Sequence, residues 1–178
     1  MPNWCYNTVS VSHEDPAMIA RFVEATKSGN LFNEFVPMPD ALRDTTSPSE
    51  PDETLIEKYG YSDWYPWSIA NWGTKWCESE SDVSHEGEKD ATVYFNTAWS
   101  PPIAFYNALV KQGFSVDATY TEEGMGFAGH YLDGVDNCVD LDFDIDSEEW
   151  INEIEDEDLR WLVQGEYDSW ADSNSEEE

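Results

Sequence analysis

The sequence predicts an α+β protein, with an antiparallel sheet carrying helices on one face and an acidic strand-helix extension added at the C-terminus. Three observations carry this. Segments of period-two alternation and segments with a helical apolar stripe follow one another in the order strand, helix, strand, helix, strand, strand. Nine Trp, nine Tyr and eight Phe in 178 residues are far too many for a disordered acidic chain and enough for a core. The charge, −31 overall, is uneven: residues 133–178 hold 19 acids and one base, Arg160, while residues 1–132 hold 20 acids and seven bases.

The elements follow in order. NWCYNTVSVS (3–12) alternates, so Cys5, Asn7, Val9 and Val11 share a strand face. Asp15 and Pro16 open a helix as N-cap and first residue, Ile19, Phe22 and Val23 form its apolar stripe, and Gly29 stops it. LFNEFVPMP is expected to be extended. Residues 40–63, with Pro48, Pro51 and Gly60, form an insertion loop with a short helix at 53–59. WYPWSIANWGTKW contains a helix or turn around 67–73, and SESDVSHEGEKD is expected to be a polar loop. ATVYFNTAW is a strand rich in β-branched and aromatic residues. Ser100 is the expected cap of a helix with Pro101 and Pro102 in its first turn, core positions Ile103, Phe105, Ala108 and Leu109, and Gly113 at its end.

FSVDATYTEEG and MGFAGHYLDG form a hairpin, and CVDLDFDID is a further strand in which Asp140, Asp142, Asp144 and Asp146 alternate with Val139, Leu141, Phe143 and Ile145. Asp146 with Glu149 forms a capping box for one acidic helix over 147–164. Its expected stripe is Trp150, Ile151, Ile154, Trp161 and Leu162, with Gly165 at its end. Residues 166–178 are expected to be an unstructured acidic tail.

Composition also bounds function. No apolar run is long enough to span a bilayer and no basic-then-apolar leader opens the chain, so a protein of the host cytoplasm is expected, without membrane contact. Three widely spaced cysteines, Cys5, Cys77 and Cys138, suit reduced thiols. A surface this acidic repels nucleic acid and attracts basic proteins.

The motifs that suggest catalysis or cofactors fail in detail. Gly124 to Gly129, GMGFAG, fits a dinucleotide fingerprint in spacing, but no helix pattern follows and Glu122 and Glu123 would repel phosphate; a glycine-eased hairpin is expected. From Asp140, the sixth and twelfth positions of a calcium loop would be Ile145 and Ile151 where glycine and glutamate are required. His13, His85 and His130 show no metal spacing with the cysteines. No nucleophile motif is present, so neither enzyme activity nor a cofactor is expected. Trp72, Trp76, Tyr94, Phe95 and Trp99 could form a base-stacking face for single-stranded nucleic acid, but only Lys75 and Lys89 lie near enough to track a backbone.

Several blocks together, NWCYNTVSVS at 3–12, FVPMP at 35–39, NWGTKW at 71–76, FNTAWSPP at 95–102 and YTEEGMGFAG at 120–129, resemble the phage and plasmid family that carries a YubB-type ferredoxin-like domain. The resemblance spans roughly residues 1–132. It implies a ferredoxin-like fold and a mobile genetic element as source, and it brings no catalytic residues. The expected organisation is a ferredoxin-like domain over 1–132 and an acidic strand-helix extension over 133–165 packed on it.

An apolar pattern inside so acidic a segment holds its carboxylates on rigid elements. Asp140, Asp142, Asp144, Asp146, Glu148, Glu149, Glu153, Glu155, Asp156, Glu157 and Asp158 are the expected partner-binding residues. One strand row places a charge every ~6.8 Å, against one per ~1.7 Å of duplex DNA, so strand and helix acids must act together. The expected function is inhibition of a basic, nucleic-acid-handling host protein by mimicry of DNA, as in anti-restriction or other anti-defence action. Alternatives are a single-stranded nucleic-acid module and an acidic scaffold whose charge provides solubility.

Overall fold

The computed structural model describes residues 2–144 and 147–175. Its strands form one antiparallel six-stranded sheet in the order β2-β3-β1-β4-β5-β6. β1 (Trp4–Ser12) lies between β3 (Asp90–Ala98) and β4 (Ser115–Glu122), with β2 (Ser79–Glu86) at one edge. With helix α1 (Pro16–Lys27) between β1 and β2, and α6 (Ile103–Lys111) between β3 and β4, these four strands have the ferredoxin-like βαββαβ order. A hairpin, β5 (Phe127–Leu132) and β6 (Val135–Asp140), widens the sheet beyond β4.

The front face holds the main core. Cys5, Asn7, Val9 and Val11 are all buried on this face, as their alternation predicts, and Val9 and Val11 join Val93, Phe95, Val116, Ala118 and Tyr131 in the core. α1 covers this face through Ile19, Phe22 and Val23, and α6 through Phe105, Tyr106 and Leu109. Asp15 caps α1 by accepting from Ala17 N–H at 2.9 Å.

Several elements depart from the sequence reading. LFNEF is helical, not extended: α2 (Leu31–Phe35) buries Leu31, Phe32 and Phe35. Its N-cap Asn30 makes no side-chain cap bond; the buried Glu78 carboxylate, remote in sequence, accepts from the N–H groups of Leu31 and Phe32. The insertion carries α3 (Asp40–Arg43) and α4 (Glu53–Tyr59), the latter at its predicted place, and leads into α5 (Trp64–Asn71). The predicted polar loop is instead edge strand β2. Its half-buried positions, Ser79, Ser81 and Val83, are mostly serines, so no apolar alternation marks it. Ser100 does not cap α6, which starts after Pro102; the Ser100 hydroxyl donates to Gly73 O at 2.8 Å instead.

The C-terminal extension covers part of the reverse face. Helix α7 (Ser147–Asn152) and helix α8 (Glu157–Ser175) build a second core, in which Ile151, Leu159, Val163 and Tyr167 are buried with Ala128 of β5. Val139, Leu141 and Phe143 pack against it. Four corrections follow. Strand β6 ends at Asp140, although exposure keeps alternating through Asp144. The single acidic helix is two, broken over residues 153–156. Of the expected stripe, Ile151 is buried and Trp150, Ile154 and Leu162 pack against this core, but Trp161 is 81% exposed, and the fully buried stripe of α8 is Leu159, Val163 and Tyr167, spaced by four. Gly165 does not end α8, which continues to Ser175, so residues 166–175 are helical where an unstructured tail was expected. Ile145, Asp146 with its capping box, and residues 176–178 lie outside the described residues.

Gly129 of the GMGFAG segment has a packing role. The Tyr120 ring lies across its Cα, in the space a Cβ would need, and the Tyr120 hydroxyl donates to Asp136 at 2.8 Å. Gly126 turns the hairpin at φ +70°. The predicted hairpin stands, and no helix follows the glycines.

Candidate functional site

The acidic extension is anchored by its apolar side chains and displays most of its carboxylates. Asp140 ends β6, and Asp142 and Asp144 follow on the extended segment; all three are exposed. The Leu141 N–H donates to Gly126 O at 2.7 Å, fixing that segment beside the hairpin turn. Asp144 accepts from the Ser147 hydroxyl at 3.0 Å and so leads into α7. Glu148 and Glu149 occupy the first turn of α7, where negative charge complements the helix dipole. Glu153 and Glu155 lie exposed in the break, and Glu157 and Asp158 in the first turn of α8. Arg160 lies 4.0 Å from Glu157 and donates to Ile154 O at 3.2 Å. Asp146, the last of the expected row, is outside the described residues.

Asp156 differs from the other acids. Its side chain is 17% exposed, and it accepts from Leu159 N–H at 3.0 Å and Asn137 Nδ2 at 2.9 Å. Both its oxygens lie 2.8 Å from His130 Nδ1. Burial alone would raise its pKa; these donors outweigh burial and hold the carboxyl below the usual carboxylate range. Asp156 therefore joins α8 to the sheet, which leaves it little freedom to meet a partner.

His130 stands on the reverse face of β5 and is 4% exposed. Its Nε2 lies 3.0 Å from Asp117 of β4. Burial pushes the imidazole pKa down, but the carboxylates of Asp156 and Asp117 prevail and the net shift is upward. Sequence spacing alone did not reveal this cluster. The Asp117 and His130 positions adjoin across a strand pair, and Asp158 arrives from α8; ligand atoms of these three residues all lie within 4.8 Å of one another. The group could hold a metal ion. The cysteines are free, and burial pushes the thiols of Cys5 and Cys77 up to about 12, which suits packing and not nucleophilic chemistry.

The aromatic residues divide between core and surface. Trp72 and Phe95 are core, while Trp76, Trp99 and Tyr94 are exposed. Trp76 and Trp99 pair at 5.6 Å, and Lys75 Nζ sits 4.7 Å and 5.0 Å from their ring centres. Trp99 adopts a left-handed φ of +64°, a conformation a tryptophan takes only under tertiary constraint. Beside this group, Arg43, Trp64, Trp72, Lys75 and Cys77 line a cavity of about 370 Å³. Tyr94 lies elsewhere, on the uncovered reverse face with Tyr6, where Asp82 pairs with it from β2.

No protein-family model matches the chain, and no curated protein matches it. Among solved structures, the chain is similar to the crystal structure of protein api92 from Yersinia pseudotuberculosis, described under the family model DUF1281. The similarity has a TM-score of 0.43 at 8% identity and covers 81% of this chain and 99% of that one. A likeness this loose carries no argument about fold or function.

No helix among the described residues is long and apolar enough to cross a membrane. The exposed acids of the extension flank one well-packed unit, and Arg160 is the only base in residues 133–178. Such an arrangement can attract and orient a cationic surface at short range.

Proposed function

We propose that this is a non-enzymatic protein that binds a basic, nucleic-acid-handling host protein and blocks it by presenting carboxylates in place of DNA phosphates. One observation carries the reading: the acids of the extension sit on backbone that is held to the sheet by its own apolar cluster of Ile151, Leu159, Val163, Tyr167 and Ala128. A tail serving solubility alone needs no such core. The residues assigned to contact are Asp140, Asp142, Asp144, Glu148, Glu149, Glu153, Glu155, Glu157 and Asp158. The part of the chain after about residue 133 is then the functional addition to a ferredoxin-like domain. The resemblance of residues 1–132 to a mobile-element family makes anti-restriction or other anti-defence action the natural setting. Binding would release counterions from the carboxylates and weaken steeply with salt, as DNA binding does.

The test is affinity capture from host lysate with the full chain, washed at low and high salt and challenged with duplex DNA. We expect a discrete nuclease, restriction or other nucleic-acid-handling protein, displaced by the DNA. The combined variant Asp140→Asn, Asp142→Asn, Glu148→Gln, Glu149→Gln should weaken capture at least ten-fold and flatten its salt dependence. Unchanged capture by that variant would remove the extension from the binding surface. Capture of abundant basic proteins alone would reduce the charge to nonspecific attraction.

A further inference from the structure

We propose that Asp117, His130 and Asp158 form a site for one divalent metal ion of the Zn²⁺ type, which clamps the C-terminal extension to the sheet. The site lies apart from the exposed acids offered for partner binding, except for Asp158, and its argument does not depend on that reading.

The imidazole is what distinguishes this cluster from the acids around it. His130 is 4% exposed and cannot swing out to solvent. Its Nδ1 is engaged by Asp156 at 2.8 Å, and Asp156 is itself held by Asn137 and by the Leu159 N–H. In the metal-free chain Nε2 donates its proton to Asp117; an ion would displace that proton, while the carboxylate fixed behind Nδ1 keeps the other proton in place, the usual arrangement behind a metal-bound histidine. The outward nitrogen, Nε2, stands 3.0 Å from the Asp117 carboxylate. Neighbouring ligand atoms around an ion with bonds of ~2.0–2.2 Å lie roughly 3 Å apart, so this pair fits one edge of a coordination shell. Asp158, exposed in the first turn of α8, brings a third ligand atom within 4.8 Å of both.

The donor set selects the ion. One imidazole nitrogen with two carboxylates suits Zn²⁺, whereas Ca²⁺ takes six to eight oxygens. Three protein ligands leave at least one position for water. The ligands come from β4, β5 and α8, so a bound ion would tie the reverse face of the sheet directly to the start of α8.

The experiment is isothermal titration calorimetry of the full chain with ZnCl₂ at pH 7.5, after chelator treatment and desalting. Mg²⁺ in large excess keeps the scattered surface carboxylates occupied. We expect one saturable site per chain and a rise in Tm with Zn²⁺ that chelator reverses. Asp158→Asn, an exposed substitution compatible with folding, should weaken binding at least ten-fold, as should His130→Gln if circular dichroism shows it folded. Asp142→Asn and Glu148→Gln should bind as the parent does. The proposal is overturned if no saturable site appears above the Mg²⁺ background. It is equally overturned if Asp158→Asn and Asp142→Asn bind Zn²⁺ alike, which would leave Asp117, His130 and Asp156 as a structural ion-pair network.

Discussion

At the residue scale, carboxylates in this molecule do opposite things according to what donates to them. Asp63 is 5% exposed, caps α5 through Tyr65 N–H at 3.0 Å and holds the insertion through Ser49 N–H and Oγ, both at 3.2 Å. Burial pushes its pKa up, yet the bonds from Ser47, Tyr65 and Ser49 overcome that and the pKa falls below the ordinary value. An acid with a depressed folded pKa contributes stability that is present above its unfolded pKa of ~3.9 and is lost as pH falls through the folded pKa. Asp63→Asn should therefore cost about 1–3 kcal/mol at pH 7, and the difference from the parent should shrink as pH falls below ~4. Urea unfolding at both pH values measures it; a gap independent of pH would mean that the charge of Asp63 contributes nothing. Glu78 shows the contrary balance: burial exceeds the donations from the backbone N–H groups of Phe32, Leu31 and Glu78 itself, and its pKa is raised. The sequence offers Asp63 at most a local capping bond from Tyr65; its bonds from Ser47 and Ser49 come from far along the chain, and the donors to Glu78 are hidden in α2, a segment that reads as extended.

At the element scale, the C-terminal extension is a unit with its own small core on the opposite face of the sheet from the main one. Ile151 is wholly buried there. Ile151→Ala should cost about 2–5 kcal/mol in the interactions that hold α7 and α8 in place. Hydrogen exchange should speed up in α7 and α8 while β1 and β3 keep their protection; equal loss in β1 would show that the two cores unfold as one. Elements with a clear period were legible in advance, as in β1, α1 and β3. β2 was not, because an edge strand with serine on its inner side lacks apolar alternation. The acidic helix was placed roughly: of its expected stripe, Ile151 is buried and Trp150, Ile154 and Leu162 pack against the second core, whereas the large Trp161 suggested burial and Gly165 a stop that the structure does not have. The helix in fact buries Leu159, Val163 and Tyr167 and runs past the glycine. The His130 cluster was illegible for a different reason: strand register and helix docking, not spacing, bring Asp117, His130 and Asp158 together.

At the scale of the whole molecule, a net charge of −31 must oppose compaction through mutual repulsion. Raising monovalent salt from ~0.01 M to ~1 M shortens the screening length from ~30 Å to ~3 Å, so Tm should rise over that range. The proposed binding of a basic partner should weaken over the same range, so the two responses to salt have opposite signs. A Tm that stayed level or fell would show that repulsion among the carboxylates is not a leading cost of folding.

Trp161 gives the molecule a built-in optical electrometer. Its indole is 81% exposed beside Glu157 and Asp158, whereas Trp67 and Trp72 are almost wholly enclosed. A cationic quencher such as caesium is concentrated at that surface and an anionic one such as iodide is excluded from it. With the other two exposed indoles, Trp76 and Trp99, replaced by Phe, the ratio of their quenching efficiencies reports the potential beside α8 without any added label. A protein seated on α8 would shield the indole from both ions at once, so the same fluorescence that reads the field also reads its occupancy.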